Sequence, residues 1–210
     1  MVEEVVIKKG SRSGESYKRD DKRQLIPSNQ QYKETLKVLS EKGFTNTLVA
    51  VRMGCEMGMS RLEIVNAEVR NVDREHIRGL YVDVAKKVRR NDKFVMRSRE
   101  IPINSDLYQL LKIYIEKDNK YILKRERKTD LMKPLKPLHI NYLYEQGNIP
   151  WSTHKSRHYF KNRIMDWMRQ NRQVDQGLIK ELMGHKKTIT EDYGSISWDY
   201  KIEVIDKVFD

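Results

Sequence analysis

The sequence has almost none of the residues that cross-link or anchor a chain. Its 210 residues include one cysteine, Cys55, which excludes an internal disulfide framework and a zinc ribbon built on several thiolates. No apolar run approaches the ~18 residues that a membrane-spanning helix needs, and the N-terminus carries no hydrophobic signal segment. We therefore expect a protein of the reducing cell interior, neither secreted nor held in a membrane.

Positive charge is what the sequence has in excess. Lysine and arginine total 42 against 30 acidic residues, which gives a formal net charge of +12. Such an excess serves solubility, and it also suits an extended anion, because lysines and arginines that contact phosphates supply affinity for nucleic acid. The length fits one main domain with a trailing arm. Nucleic acid is therefore the partner that the composition favours.

Residues 1–27 differ from the rest of the chain. They are rich in glycine, serine and mixed charge and have no sustained helical or strand period, which is typical of a flexible arm. The main domain is expected over residues 28–210.

Within that domain the periodicity predicts an α+β fold that is mostly α-helical. Ser28 with Gln31 forms a capping-box pattern for a first helix that Gly43 ends, and a second, apolar helix covers 46–57. Alternating apolar residues over 80–84 and 94–101, separated by a polar bend, predict a small antiparallel hairpin. Further helices are expected from Ser105, over 137–146, from residue 153, up to Gly184 and over 198–210.

The last of these helices carries an apolar stripe made by Ile202, Ile205, Val208 and Phe209. A helix this short is marginal alone, so its stripe must dock somewhere. The stripe packs either on its own domain or on another protomer.

The chemistry concentrates in residues 153–194. His154 and Arg157 are three residues apart, so a helix presents them on one face, where a guanidinium fork and an imidazole can meet one phosphate. Gly184 and His185 are followed eight residues later by Tyr193, whose hydroxyl is a candidate nucleophile. His154 and His158 also have metal-pair spacing, but no further His or Cys cluster supplies the remaining ligands. We predict neither a metal nor a cofactor.

Taken in order, His154-x-x-Arg157, Leu182-Met183-Gly184-His185 and Tyr193 resemble the tyrosine recombinase (phage integrase) family. The interval from His185 to Tyr193 is one residue shorter than the family usually has, so Tyr200 remains the alternative nucleophile. The resemblance covers most of the chain and implies the fold of that family's catalytic domain.

Two more residues follow from the resemblance. Gly58-Met-Ser-Arg61-Leu-Glu63 is similar to the family's first arginine box, with the glutamate two residues after the arginine instead of three. Arg61 is therefore carried over, with Arg52 as its alternative, although a surface arginine after a Ser60/Glu63 capping box has the same pattern. The family's hairpin presents a lysine, which falls on Lys86 or its neighbour Lys87.

The mechanism implied by the resemblance is metal-independent cleavage and rejoining of DNA. Tyr193 would attack a phosphodiester and form a 3′-phosphotyrosyl link, while the two arginines clamp the non-bridging oxygens. The lysine would protonate the leaving 5′ oxygen, and the two histidines would move a proton and hydrogen-bond the phosphate. The implied catalytic residues are Arg61, Lys86, His154, Arg157, His185 and Tyr193.

The implied partner is double-stranded DNA, with self-assembly into a dimer or tetramer on it. A C-terminal segment of the resembling family often docks on a neighbouring subunit, so we hypothesise that the helix over 198–210 joins protomers within a DNA-bound assembly. Family members add an N-terminal helical DNA-clamping domain, which 27 irregular residues cannot form. The implied setting is intracellular, DNA-associated and typical of a virus or plasmid. A type IB topoisomerase and a non-catalytic DNA-binding protein with a decayed site are the alternatives.

Overall fold

The computed structural model describes residues 25–90, 93–116, 118–124, 133–172, 175–184 and 196–209, without the side chains of 84–90 and 93–97. The predicted arm, apart from its last three residues, lies outside the described ranges, as do His185 and Tyr193.

Within these ranges the fold consists of helices and one two-stranded antiparallel sheet. In chain order the elements are α1 (Asn29–Glu41), α2 (Thr45–Glu56), α3 (Arg61–Asn66), a 3₁₀ turn (Val69–Asn71), β1 (Gly79–Arg90), β2 (Lys93–Pro102), α4 (Ser105–Tyr114), α5 (Pro137–Gln146), α6 (Thr153–Gln170), α7 (Gln176–Leu182) and α8 (Trp198–Phe209). The predicted α+β, mostly helical fold with a small hairpin is confirmed.

Short polar side chains begin most of these helices. The Ser28 hydroxyl accepts from the Gln31 N–H, and the Gln31 side chain accepts from the Ser28 N–H, so the predicted capping box opens α1. Ser60 and Glu63 form a second box that opens α3, a helix that the periodicity did not predict. Asn104 caps α4. Each cap satisfies backbone donors that the first helical turn leaves without a partner.

The hairpin places one arginine on its buried face. Leu80 of β1 lies opposite Ile101 of β2, and Val82 lies opposite Arg99. Because alternate residues of a strand face the same side, Arg99 shares the face of Ile101, which is fully buried. A charged side chain thus enters the interior from β2.

The apolar interior has two parts that meet at α6. The main core gathers residues from α1 to α5 and ends at Tyr159, whereas the second core is built by α6, α7 and α8. The second core consists of Phe160, Ile164, Met168, Leu178, Leu182, Met183, Val204, Ile205 and Val208. Since Tyr159 and Phe160 are adjacent on α6, this helix joins the two cores.

Close packing against α2 fixes the start of α6. A Cβ at Gly54 would lie 2.9 Å from the Cβ of Ser156, so only glycine lets the two helices approach this closely. The Ser156 hydroxyl accepts from the indole N–H of Trp151 at 3.0 Å and shares a hydrogen bond with Tyr144 at 3.0 Å. The first turns of α6, which carry His154 and Arg157, are therefore held on the domain.

The final helix packs on its own chain. Val204, Ile205 and Val208 are buried in the second core, and the Phe209 ring stacks on Phe160 with centroids 5.7 Å apart. This is the first of the two arrangements that the stripe allowed, and the hypothesis that the helix joins protomers in a DNA-bound assembly stays a prediction. None of the helices in the described ranges is both long and apolar enough to cross a membrane.

Candidate active site

Arg157 projects from α6 towards the ends of two other helices. Its guanidinium donates to the carbonyl oxygens of Gly58, just after α2, and Met183, just after α7. It also lies 3.4 Å from a carboxylate oxygen of Glu63. The side chain retains 18% exposure, so this interior charge still has an edge in contact with solvent.

A second guanidinium, that of Arg99, joins the same site and was not predicted. Its Nε donates to Glu63 Oε1 at 3.1 Å, and its Nη2 lies 3.4 Å from the Gly58 carbonyl oxygen. A further nitrogen donates to the carbonyl oxygen of Leu182. We refer to Glu63, Arg99 and Arg157 as the arginine cluster. The period-2 alternation of the strand, which puts Arg99 in phase with Ile101, is the sequence signal that could have found it.

Two guanidinium charges against one carboxylate leave the arginine cluster with one positive charge in excess. Burial raises the pKa of Glu63, but Arg99, the Ser60 N–H and Arg157 outweigh it and hold that pKa below its usual range. Burial, then repulsion from Arg99, lowers the pKa of Arg157 to about 10 against the opposing effect of Glu63. Glu63 and Arg157 are therefore charged at neutral pH. Burial lowers the pKa of the Arg99 guanidinium as well, against the opposing effect of Glu63.

Two glycines with left-handed backbone shape this region. Gly58 has φ +60° after α2, and a Cβ there would lie 2.5 Å from an atom of the Phe160 ring. Gly184 has φ +65° and follows α7, as predicted for a helix stop. The first glycine presents its carbonyl to both guanidiniums, and the second directs the chain towards His185.

Arg61 and His154 meet at a neighbouring cleft. Arg61 is the first residue of α3 and is exposed, and its Nη1 donates to Asn141 of α5 at 3.2 Å. A cleft of ≈ 240 Å³ lies at the start of α6. Its lining includes Arg61, Asn141, Trp151, Thr153 and His154. Arg61 and His154 thus line one cleft, whereas the guanidinium of Arg61 donates to α5 and not to the arginine cluster.

His154 and His158 lie one turn apart on α6 with their Nε2 atoms 3.0 Å from each other. Burial, followed by the charge of His154, lowers the pKa of His158. In the described part of the chain, the group of His and acidic side chains close enough to share a metal ion is Glu75, His76 and Glu100. Neither histidine of α6 belongs to it.

Arg52, the alternative to Arg61, forms an ion pair with the buried carboxylate of Glu56. Its Nε and Nη2 donate to the two carboxylate oxygens of Glu56 at 2.8 and 2.9 Å. Glu56 is 2% exposed and also accepts from Asn104 at 2.6 Å and from the Tyr32 hydroxyl. This network satisfies a buried charge inside the main core, and its members Arg52, Asn104 and Tyr32 are not those that contact Glu63.

The structure describes the backbone of the two candidate lysines and the whole of the alternative tyrosine. Lys86 and Lys87 lie on β1, and their side chains are outside the described set. Tyr200, the alternative nucleophile, lies on α8 against the second core, where burial above all, then Asp175 and Glu203, raises its pKa.

No protein-family model and no curated protein matches the sequence. Solved structures do match the fold. The integrase from mycobacterium phage Brujita is 15% identical with a TM-score of 0.60, covering 88% of this chain and 58% of that one. XerA recombinase is 18% identical with a TM-score of 0.57, covering 87% and 64%. The Tn1549 transposon integrase (residues 82–397 of that protein), in complex with circular intermediate DNA, is 17% identical with a TM-score of 0.55, covering 83% and 62%.

At these identities the similarity concerns the fold. The chain spans 58% to 64% of the length of these three chains. The fold that the motifs implied is confirmed.

Proposed function

We propose that this chain, which has the fold of the tyrosine recombinase catalytic domain, cleaves and rejoins DNA strands as a site-specific recombinase or integrase. The observation that carries the proposal is the position of Arg157. Its guanidinium lies beside the last carbonyl before Gly184, so one cluster joins the His154-x-x-Arg157 helix to the segment that leads to His185. Two motifs that match the family in order also meet in space.

The electrostatics suit a phosphodiester. The arginine cluster holds one excess positive charge in a largely buried setting, with the edge of Arg157 reaching solvent. Fixed donors in a water-poor site stabilise charge that develops in a transition state more strongly than mobile donors in water. Arg61 and His154 add a second basic group and an imidazole at the adjoining cleft.

The proposed reaction uses side chains alone. The Tyr193 hydroxyl loses its proton, attacks phosphorus and forms a 3′-phosphotyrosyl bond as the bond to the 5′ oxygen breaks. His154 assists the movement of the proton from the Tyr193 hydroxyl. Lys86 or Lys87 gives a proton to the leaving 5′ oxygen. Arg61, Arg157 and His185 hold the phosphate, and attack by a 5′-hydroxyl reverses the step. Guanidiniums take the place that metal ions occupy in many nucleases.

Double-stranded DNA is the proposed partner. The net charge of +12 supports it, and one of the structures with a similar fold is an integrase in complex with DNA. Strand exchange between two duplexes requires more than one active site, so assembly of a dimer or tetramer on DNA is part of the proposal.

Covalent trapping tests the proposal. The protein is incubated in EDTA with a pool of nicked duplexes of randomised sequence, and adducts that survive SDS are isolated and sequenced. We expect an adduct that Tyr193→Phe abolishes while DNA affinity stays nearly unchanged, because one hydroxyl adds little to many phosphate contacts. Tyr200→Phe is the matched control and should keep the adduct. A strict requirement for Mg²⁺, or loss of the adduct only in Tyr200→Phe, contradicts the assignment.

The position of Arg61 favours one alternative, a DNA-binding protein without cleavage activity, because its guanidinium bonds to Asn141 instead of joining the arginine cluster. DNA binding with no adduct in any duplex of the pool would support that alternative. If adducts form, a two-site recombination assay and a supercoil-relaxation assay distinguish a recombinase from a topoisomerase.

A further inference from the structure

We infer that Arg99 is a positioning residue of the phosphate site, which takes up the charge of Glu63 so that Arg157 keeps its positive charge for a phosphate group. The inference rests on the proposed function, since it names how the phosphate-binding arginine of that site is kept available. Nothing in the sequence motifs assigns a role to Arg99.

The way in which hydrogen-bond donors share the two oxygens of the Glu63 carboxylate supports this role. Oε1 accepts from Arg99 Nε at 3.1 Å, and Oε2 accepts from the Ser60 N–H at 2.7 Å. The contact of Oε2 with Arg157 is longer, at 3.4 Å. Each oxygen of Glu63 therefore has a nearer donor than Arg157, which is the most distant of the three.

Removing Arg99 would change this balance. Glu63 is 2% exposed and needs a cationic partner, because an unpaired buried carboxylate is costly. Arg157 would be the guanidinium left to serve it, and the two charges would cancel. The cluster would then have no excess charge with which to attract an anion, even though Arg157 itself is still present.

Arg99 and Arg157 also both donate to the C-terminal end of α7. The two guanidiniums donate to consecutive carbonyl oxygens, those of Leu182 and Met183, and both contact the Gly58 carbonyl. With a side-chain exposure of 6%, Arg99 itself is covered by protein. It therefore fixes the groups around a phosphate without being the group that reaches solvent.

Charge compensation tests the inference. The cluster has a formal charge of +1 in the native protein, 0 in Arg99→Met, +2 in Glu63→Gln and +1 again in the double variant. We expect Arg99→Met to slow adduct formation about 10- to 100-fold, by analogy with the loss seen when the hydrogen-bond partner of a metal-ligating residue is removed. The double variant should recover most of that loss. Arg169→Met, an exposed arginine at the end of α6, is the control for charge alone and should react normally.

A purely structural role predicts a different pattern. If Arg99 serves only packing and hydrogen bonding, the rate of each variant follows its folded fraction, so fully folded Arg99→Met should react at the native rate. A double variant that is folded but no faster than Arg99→Met overturns the inference. A normal rate in Arg99→Met also overturns it. If Arg99→Met does not fold, Arg99→Lys keeps the charge, and it should retain the rate within about tenfold; a loss as large as that of Arg157→Ala counts against the inference.

Binding of inorganic phosphate separates this inference from the proposed function. Perturbation of the Arg157 side-chain NMR signal by phosphate should weaken in Arg99→Met and recover in the double variant. If the native protein forms no adduct but shows this pattern, the recombinase proposal fails and the role of Arg99 stands. If adducts form and the Arg99→Met and double variants match the native protein in both assays, the inference fails alone.

Discussion

Arg78 and Asp206, 128 residues apart in sequence, form a salt bridge that fastens the last helix to the start of the hairpin. Asp206 Oδ2 accepts from Arg78 Nη1 at 2.9 Å, while Oδ1 accepts from the Ser105 N–H at 3.0 Å. Arg78 also donates twice to the Ile103 carbonyl, at 3.0 and 2.8 Å. One carboxylate of α8 thus contacts the residue before β1 and the start of α4, and Arg78 extends the connection to the residue after β2.

This attachment makes α8 a part of the fold. Ile205→Ala should lower the free energy of unfolding by about 2–5 kcal/mol, because the side chain is fully buried. Glu203→Ala, on the exposed side of the same helix, should change it by less than about 0.5 kcal/mol. Urea denaturation measures both. A chain ending at residue 198 that keeps its fold and loses only assembly on DNA would support the hypothesis that α8 joins protomers.

Arg52→Ala is expected to destabilise the main core. The variant leaves Glu56 buried with no guanidinium beside it, and the loss of one partner of a buried ion pair costs about 3–5 kcal/mol. The matched control is Arg61→Ala, which removes an exposed arginine and should leave thermal stability nearly unchanged. A stable Arg52→Ala protein that cannot cleave DNA would show instead that Arg52 belongs to the active site.

Arg157→Ala and Arg61→Ala should both impair strand cleavage, and they should differ in stability. Loss of the Arg157 guanidinium is expected to cost about 3 kcal/mol of transition-state stabilisation, as for a lost oxyanion donor, with a much smaller effect on DNA affinity. It also leaves carbonyl oxygens at Gly58 and Met183 without this donor, so the melting temperature should fall. Single-turnover cleavage and calorimetry measure the two effects. Equal losses in cleavage and affinity would indicate that Arg157 only positions DNA.

Glu63 should give the domain a pH dependence at its acid end. Its pKa in the folded state lies below the usual glutamate range, so its ion pairs contribute stability in full above the ordinary pKa. That contribution is lost as the pH falls through the lowered pKa. Between about pH 7 and pH 3, unfolding free energy should therefore decline more steeply for the native protein than for Glu63→Gln. Parallel curves would mean that Glu63 has no net partner in solution.

The sequence predicted what neighbouring residues determine. The Ser28–Gln31 capping box, the helix Pro137–Gln146 and the hairpin were found because each depends on signals a few residues apart. The arginine cluster was not, because Arg99 and Arg157 lie 36 and 94 residues from Glu63, and only the folded chain brings them together. The stripe on α8 showed that the helix must dock, but periodicity cannot name the surface that receives it.

Because the interior has two cores, the arginine cluster can be disrupted while the main core stays folded. Glu63 and Arg99 belong to elements of the main core, whereas the carbonyls of Leu182 and Met183 end a helix of the second. Local opening of a small apolar cluster needs less free energy than global unfolding. Amide hydrogens of α7 and α8 should therefore exchange with solvent together and faster than those of α2. Each such opening would dismantle the arginine cluster's contacts with α7 while the main core stays folded, so warming should end the proposed cleavage activity before it unfolds the protein.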